Sequence, residues 1–305
     1  MNWVLKMAAF RALSWLPGGV RIYRLAQERG TKSLVPTRER IQLKVDVGLR
    51  YFDWLKEHGH SLAGRTHLDF GTGWHPTIPF LFRAFGCGEQ FLFDLSPLLD
   101  AGLIAGTARI AREITDAPDW PHRAELVQPV ADFNAAPDAW PAALTALGMN
   151  YVAPYVERWA EVRGRIDLLT STQVLLHIDR AGLRECFRHF FESLKPGGFF
   201  CATIHLRDLY VVPGSGLPPH NHLRYSPRVW NGFINTPLMS YNRLKAPDYR
   251  ALLEEAGFAI RHFEVEPGSA EDLAALDRLR IDPSFAHYSR EELAARHLFV
   301  VAQKP

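Results

Sequence analysis

From Arg65 onward the chain alternates short apolar runs with amphipathic stretches, and this alternation limits the fold more than any other feature. "THLDF", "EQFLFDLS", "MNYVAPY", "RIDLLTSTQVL" and "GFFCATIHL" read as strands, each bounded by turn formers. "PTIPFLFRAFG", "PLLDAGLIAGTARIAREI" and "RAGLRECFRHFFESL" read as the helices between them. Strands joined by helices need crossover connections, so the sheet is mostly parallel and doubly wound. "APDYRALLEEAGF" adds a helix, and "AIRHFEVE" and "HLFVVAQKP" supply the final strands, the last of them expected to be antiparallel. Residues 116–148, rich in Ala, Pro and Trp, show no clean period and read as helix and loop.

Residues 1–62 follow a different pattern. In "RERIQLKVDVGLRYFDWLKEHG" the apolar residues Ile41, Val45, Leu49, Phe52 and Leu55 recur at helical spacing, and Gly59 offers a stop. Pro17-Gly18-Gly19 breaks the helical pattern before it. The expected organisation is an N-terminal helical cap over 1–62 and an α/β domain over 63–305, interrupted at 206–247 by a lid-like insertion.

Composition narrows the function classes. The net charge of +2 gives no broad nucleic-acid footprint. Residues 1–62 do carry eleven Lys and Arg against five Asp and Glu, an excess that reads as a solvated face. No apolar run approaches the roughly 20 residues of a membrane span. The opening "MNWVLKMAAFRALSWLPGG" mixes Lys6 and Arg11 into its apolar residues, unlike a signal peptide, and reads as a helix packed on its own domain. Its amphipathic pattern leaves peripheral membrane contact open. Cys87, Cys186 and Cys201 are widely separated and form no metal-binding pair, which suits buried thiols in a reducing cytoplasm.

The stretch "HLDFGTGWHP" places Gly71 and Gly73 between a strand and a helix, where open α/β sheets bind ligands. Glycine lets a backbone approach a ligand closely. Asp69 stands two residues before the first glycine, so the pattern is Asp-x-Gly-x-Gly rather than Gly-x-Gly-x-x-Gly. Asp94 ends the second strand about 20 residues on, the position from which an acid holds ribose hydroxyls. Its other reading is a cap for "SPLLDAG", a role for which Ser96 is the better residue.

These features, with "IDLLTSTQVLLHI" and "LKPGGFFCATI" in order behind them, resemble the class I S-adenosylmethionine-dependent methyltransferases. The resemblance runs from Arg65 to the C-terminus and implies a Rossmann-like fold with S-adenosylmethionine as cofactor. It implies that Asp69 and the backbone of Gly71, Thr72 and Gly73 hold the methionine end. Asp94 would hold the ribose, with Leu95 beside the adenine and Ser96 also among the cofactor-binding residues. Thr170, Ser171, Thr172 and Gln173 would line the floor under the sulfonium. The chain departs from the family at His75, which replaces a third glycine. It departs again after the third strand, where "YVAPYVERW" offers Glu157, with Tyr155 as an aromatic alternative, in place of an acid near the adenine.

Methyl transfer to a hydroxyl needs a base, and histidine is the commonest choice. The candidates at strand ends are His177, and His205 with Asp208 as its orienter. His220 and His222 in "PPHNHLRYS" have a spacing that a metal uses, but without a nearby acid or cysteine they read as a polar loop, and no metal is expected. The insertion concentrates aromatics and arginines, of which Tyr225, Trp230, Tyr241 and Arg243 are the candidate substrate contacts.

The leading expectation is methyl transfer to O or N of a small organic substrate. The alternatives are an S-adenosylmethionine-binding enzyme or module that does not methylate and, less favoured, an RNA methyltransferase. DNA is not expected as a partner, because Ser171-Thr172-Gln173 stand where amino-methylating DNA enzymes carry Asn/Asp-Pro-Pro-Tyr/Phe. "SAEDLAALDRLRIDPSFAHYSREELAAR" is open to a role as a cover or as a homo-oligomer surface.

Overall fold

The computed structural model describes residues 7, 10–13, 16, 34–211, 215–236 and 239–305. Most of the expected helical start over 1–33 lies outside the described residues. The chain divides into two compact units. One comprises Leu34–Thr172, Arg188–Ala202 and Val301–Pro305, and the other Met1–Ser33, Gln173–Phe187 and Thr203–Val300.

The first unit begins with α1 (Arg38–Glu57), capped by Thr37, whose side chain accepts the Arg40 N–H. Ile41, Val45, Gly48, Tyr51, Phe52 and Leu55 form one buried face, and Trp54 is buried outside it. This face packs on α2 (Thr77–Ala84) and α3 (Ala101–Thr115). Phe52 stacks flat on Phe85, with ring centroids 3.9 Å apart. Between α1 and α2 lies β1 (His67–Phe70), and between α2 and α3 lies β2 (Gln90–Phe93). Both strands are buried over their whole length, as parallel strands covered on both faces are. The helix after β2 is capped by Asp100, whose side chain accepts the Leu103 N–H. The expected cap, Ser96, lies too far ahead of the first helical turn. Residues 116–148 contain a 3-10 turn at Arg123–Glu125 and one short α-helix, α4 (Trp140–Ala146), before β3 (Met149–Val152). β4 (Ile166–Thr172) and α5 (Arg180–Ser193) follow.

Among the described residues seven strands form the sheet in the order β3-β2-β1-β4-β5-β7-β6, where β5 is Leu194–His205, β6 is Ala259–Glu266 and β7 is His297–Gln303. β1 pairs in parallel with both β2 and β4. β7 runs antiparallel to β5: Leu206 N–H bonds the Arg296 carbonyl, while Gly197 N–H bonds that of Lys304. The order reverses between β1 and β4, the place at which open α/β sheets take ligands. This is the expected α/β arrangement, with its antiparallel last strand.

The second unit contains α6 (Ala246–Glu255), β6, α7 (Ala270–Asp277) and α8 (Arg290–Ala294). Leu223, Leu276, Phe285, Leu293 and Ala294 form a buried cluster in it. The sequence expectation of a long irregular insertion over 206–247 resolves into short helical turns at Asn221–Arg224, Pro227–Val229 and Trp230–Ile234.

Gly48 permits the close approach of α1 to α2, since a Cβ there would lie 2.9 Å from Leu81 Cδ2. Gly48→Val is expected to destabilise the protein by about 1–3 kcal/mol, the usual cost of overpacking. Urea unfolding would show this as a lower midpoint at unchanged slope.

Candidate functional site

The loop after β1 turns sharply because Gly71 and Gly73 take φ of 78° and 69°, a region that other residues enter only with strain. Gly71 N–H donates to the Phe93 carbonyl at 2.8 Å, which ties the loop to the end of β2. Asp94 completes the tie. Its Oδ2 accepts the Gly73 N–H at 2.8 Å and its Oδ1 the Ser96 N–H at 3.3 Å. Asp94 is 7% exposed. Burial pushes its carboxyl above the usual range, against the N–H groups of Gly73, Ser96 and Leu95 that hold it down, and nearby Asp69 adds to the rise.

Asp69 Oδ1 lies 2.9 Å from the Thr170 hydroxyl, and Thr72 is buried beside it with its hydroxyl on the Asp69 carbonyl. Lys44, from α1, reaches this loop and donates to the carbonyls of Thr72 (3.3 Å) and His75 (2.9 Å). Burial lowers its pKa, while Asp69 and Asp94 oppose the fall. From the same helix the Tyr51 hydroxyl lies 3.1 Å from Thr172 Oγ1 and donates to the Ser171 carbonyl. Ser171 Oγ is buried without a hydrogen-bond partner.

Thus Asp69, Gly71, Thr72, Gly73, Asp94, Leu95, Ser96, Ser171 and Thr172 all fall in the first unit. Leu95 and Ser96 are exposed, as is Glu157. Tyr155 is held more firmly, its N–H on the Asp94 carbonyl at 3.1 Å and its ring stacked at 10° on Phe93. Gln173 opens the other unit with φ 58°, its N–H on the Thr203 carbonyl and its Oε1 buried without a partner. His75 is buried, and burial together with Lys44 and Arg40 lowers its pKa to about 4.

In the second unit the expected pairing of His205 with Asp208 is not formed. His205 Nδ1 lies 2.8 Å from His297 Nε2, and His297 Nδ1 lies 2.8 Å from Glu266 Oε2. The two histidines come from adjacent strands and Glu266 from the next, so sheet order explains the pairing. With His297 neutral, the carboxylate fixes its proton on Nδ1. His297 Nε2 then accepts from His205 Nδ1–H, and His205 Nε2 is left as a free acceptor. Burial, with nearby positive charge including Arg207 and Lys245 adding to the fall, lowers the His205 pKa to about 4, so the ring is neutral near pH 7.

Asp208 instead accepts the Tyr241 hydroxyl at 2.6 Å and the Tyr210 N–H at 2.8 Å, with His222 Nδ1 3.6 Å from its other oxygen. His222 is buried with a pKa lowered by burial to about 4, although Asp208 opposes the fall. The candidate substrate contacts are packed together. Trp230 donates to the Tyr241 carbonyl. The Arg243 guanidinium lies over Trp230 and Phe285 and donates to the carbonyls of His222 and Tyr225. Arg243 is therefore occupied within the fold rather than held out to a ligand. His177 is exposed, with Nδ1 against the Ser240 carbonyl. Among the described residues no group of three or more His, Cys, Asp or Glu is arranged to hold a metal, and no helix is long and apolar enough to cross a membrane.

Sequence reading missed Lys44, Tyr51, His67, His297 and Glu266. The one local signal was His67, a polar residue inside an otherwise apolar strand.

The family model for the methyltransferase domain matches residues 38–262. Comparison with curated proteins finds no match. Among solved structures the chain is similar to an S-adenosylmethionine-dependent methyltransferase from Mesorhizobium loti (18% identity, 82% of this chain and 96% of that one, TM-score 0.42). It is similar also to a counterpart from Methanosarcina mazei (13%, 81% and 95%, 0.42). A third is a geranyl diphosphate methyltransferase in complex with S-adenosylmethionine (11%, 84% and 85%, 0.44).

His75, His205 and His222 each have a folded-state pKa near 4, below the roughly 6.5 of an unfolded histidine. Between those values the unfolded chain binds more protons, so stability is expected to fall as pH drops from about 6.5 to about 4. Urea midpoints across that range would check this, and a flat profile would contradict it.

Proposed function

The chain belongs to the methyltransferase-domain family, the class I enzymes whose cofactor is S-adenosylmethionine, and from that premise we propose that it transfers a methyl group to O or N of a small organic molecule. The residues present fit the cofactor. Asp94 retains lone pairs beyond its bonds to Gly73 and Ser96, which suits ribose hydroxyls. Asp69 suits an ammonium, and the unpartnered Ser171 hydroxyl supplies a further polar contact. The backbone of Gly71, Thr72 and Gly73 and residues Leu95, Ser96, Thr172 and Gln173 complete the set, with Tyr155 better supported than Glu157 beside the base.

When bound, S-adenosylmethionine supplies a methyl group already activated on a sulfonium. The chain's own contribution is to position an acceptor and, for a hydroxyl, to take its proton. His205 is the proposed base. The observation that carries this role is the Glu266–His297–His205 line, which leaves His205 Nε2 as an unfilled acceptor on a neutral ring. His297 and Glu266 replace Asp208 as the orienting pair. An amine acceptor needs only its neutral form, so His205 favours the hydroxyl case. Of the aromatic candidates, Trp230 and Tyr241 are buried within the fold, with Asp208 fixing Tyr241, which leaves Tyr225 as the proposed aromatic contact.

The test is incubation with methyl-labelled cofactor and a panel of hydroxyl- and amine-bearing small molecules. Passage of label to a panel member is expected. Binding without passage would favour the non-methylating alternative. His205→Ala is expected to lower kcat about 10²–10⁴-fold at near-normal affinity for S-adenosylhomocysteine. Full activity would remove His205 from the mechanism. Asp94→Ala is expected to weaken that affinity about 10- to 100-fold, the worth of a charge-assisted hydrogen bond, and unchanged calorimetric binding would contradict the assignment.

A further inference from the structure

One face of the first unit's sheet carries an unbroken line of polar groups. Gln90 Nε2 donates to the Pro79 carbonyl at 2.9 Å, and Gln90 Oε1 lies 2.8 Å from His67 Nδ1. His67 Nε2 lies 2.8 Å from Thr170 Oγ1, which lies 2.9 Å from Asp69 Oδ1. Strand register puts them in line, because His67 is opposite Gln90 and Asp69 is opposite Thr170. His67, Gln90 and Thr170 are wholly buried and Asp69 is 5% exposed, so water does not substitute for a missing proton along the line.

The Pro79 end fixes the first protons of the line and leaves two arrangements for the rest. The Pro79 carbonyl only accepts, so Gln90 presents its NH₂ there and its oxygen to His67. That oxygen only accepts, so His67 Nδ1 carries a hydrogen. If Asp69 is a carboxylate, Thr170 spends its one hydroxyl hydrogen on it and can only accept from His67. His67 Nε2 is then protonated as well, and the ring is an imidazolium. If His67 is neutral, Nε2 accepts the Thr170 hydrogen, and Asp69 must be the acid that donates to Thr170. Both arrangements contain the same number of protons.

We propose that His67 and Asp69 share one proton through Thr170, and that it resides on His67 whenever an ammonium group is bound at Asp69. The inference rests on the reading of Asp69 as the carboxylate that receives the amino-acid end of S-adenosylmethionine. In the shift, Asp69 gives its proton to Thr170 Oγ1 and Thr170 gives its own hydrogen to His67 Nε2. One O–H bond is lost at Asp69, one N–H bond is gained at His67, and no charge leaves the line. The charged groups facing Asp69 are Lys44 from α1 and Asp94 at the end of β2. His67 meets the Phe82 ring from α2, with Asp69 the charged group that acts on it. Burial disfavours the imidazolium in the free protein. An arriving ammonium favours the carboxylate and draws the proton across. His67 is thus a positioning residue, which acts on the ligand through Asp69 without touching it.

The experiment is nitrogen-15 NMR of histidine-labelled protein with S-adenosylhomocysteine, which has the same amino-acid end. His67 resonances are assigned by their loss in His67→Gln. The expected result is a doubly protonated His67 ring in the complex, persisting to pH 8, well above the usual imidazole pKa of about 6.5. Thr170→Val keeps the shape and cuts the line. It is expected to leave His67 neutral with its hydrogen on Nδ1 and to weaken binding about tenfold, and Thr170→Ser is expected to restore both. A neutral His67 in the wild-type complex, or an imidazolium retained in Thr170→Val, overturns the shared proton. Failure of the wild-type protein to bind S-adenosylhomocysteine would instead overturn the cofactor reading.

Discussion

The hydrogen bond from Gly73 N–H to Asp94 joins two strand ends that the sequence separates by a whole helix. It acts beside the Gly71 N–H on the Phe93 carbonyl and the Lys44 ammonium on two loop carbonyls. With it, the two-glycine turn has one shape, and the carboxylate that clamps it keeps lone pairs for a ligand. Much of the first unit serves this junction. β1 and β2 bring its halves into register, and α2, with nearly every residue buried, covers the strands beneath it. The side chain proposed to bind the ribose is thus also a structural clamp, and its surroundings act on its charge as well as its place.

The sheet was legible because its strands are short apolar runs separated by strongly periodic helices, and parallel order follows from that alternation. The places of Asp69, Gly71, Gly73 and Asp94 at the ends of β1 and β2 were legible for a related reason, since each is defined by spacing around a strand–turn–helix unit. The cap of α3 was misassigned to Ser96 because two good capping residues, Ser96 and Asp100, stand four apart, and only the helix start chooses between them.

What the sequence hid depends on register between distant strands. His205 and His297 are 92 positions apart, and Thr170 lies 101 from Asp69. Asp208, three residues beyond His205, was the nearest acid in sequence but turned to Tyr241. Sequence proximity favoured the wrong partner because β5 ends between them, and the residues after a strand end need not share its direction. Arg243 was misleading in another way. An arginine among aromatics suits an anionic ligand, yet the same planar cation satisfies two carbonyls and covers two rings of its own fold.

Lys44 changes what counts as one part of this protein. It lies on the helix before the first strand, yet it holds two carbonyls of the loop that follows that strand. Grafting the Asp69–Gly73 segment into another scaffold would therefore transplant an incomplete piece. The portable module begins at least as early as α1, and chimeras joined just ahead of β1 would inherit the bend without the cation that braces it.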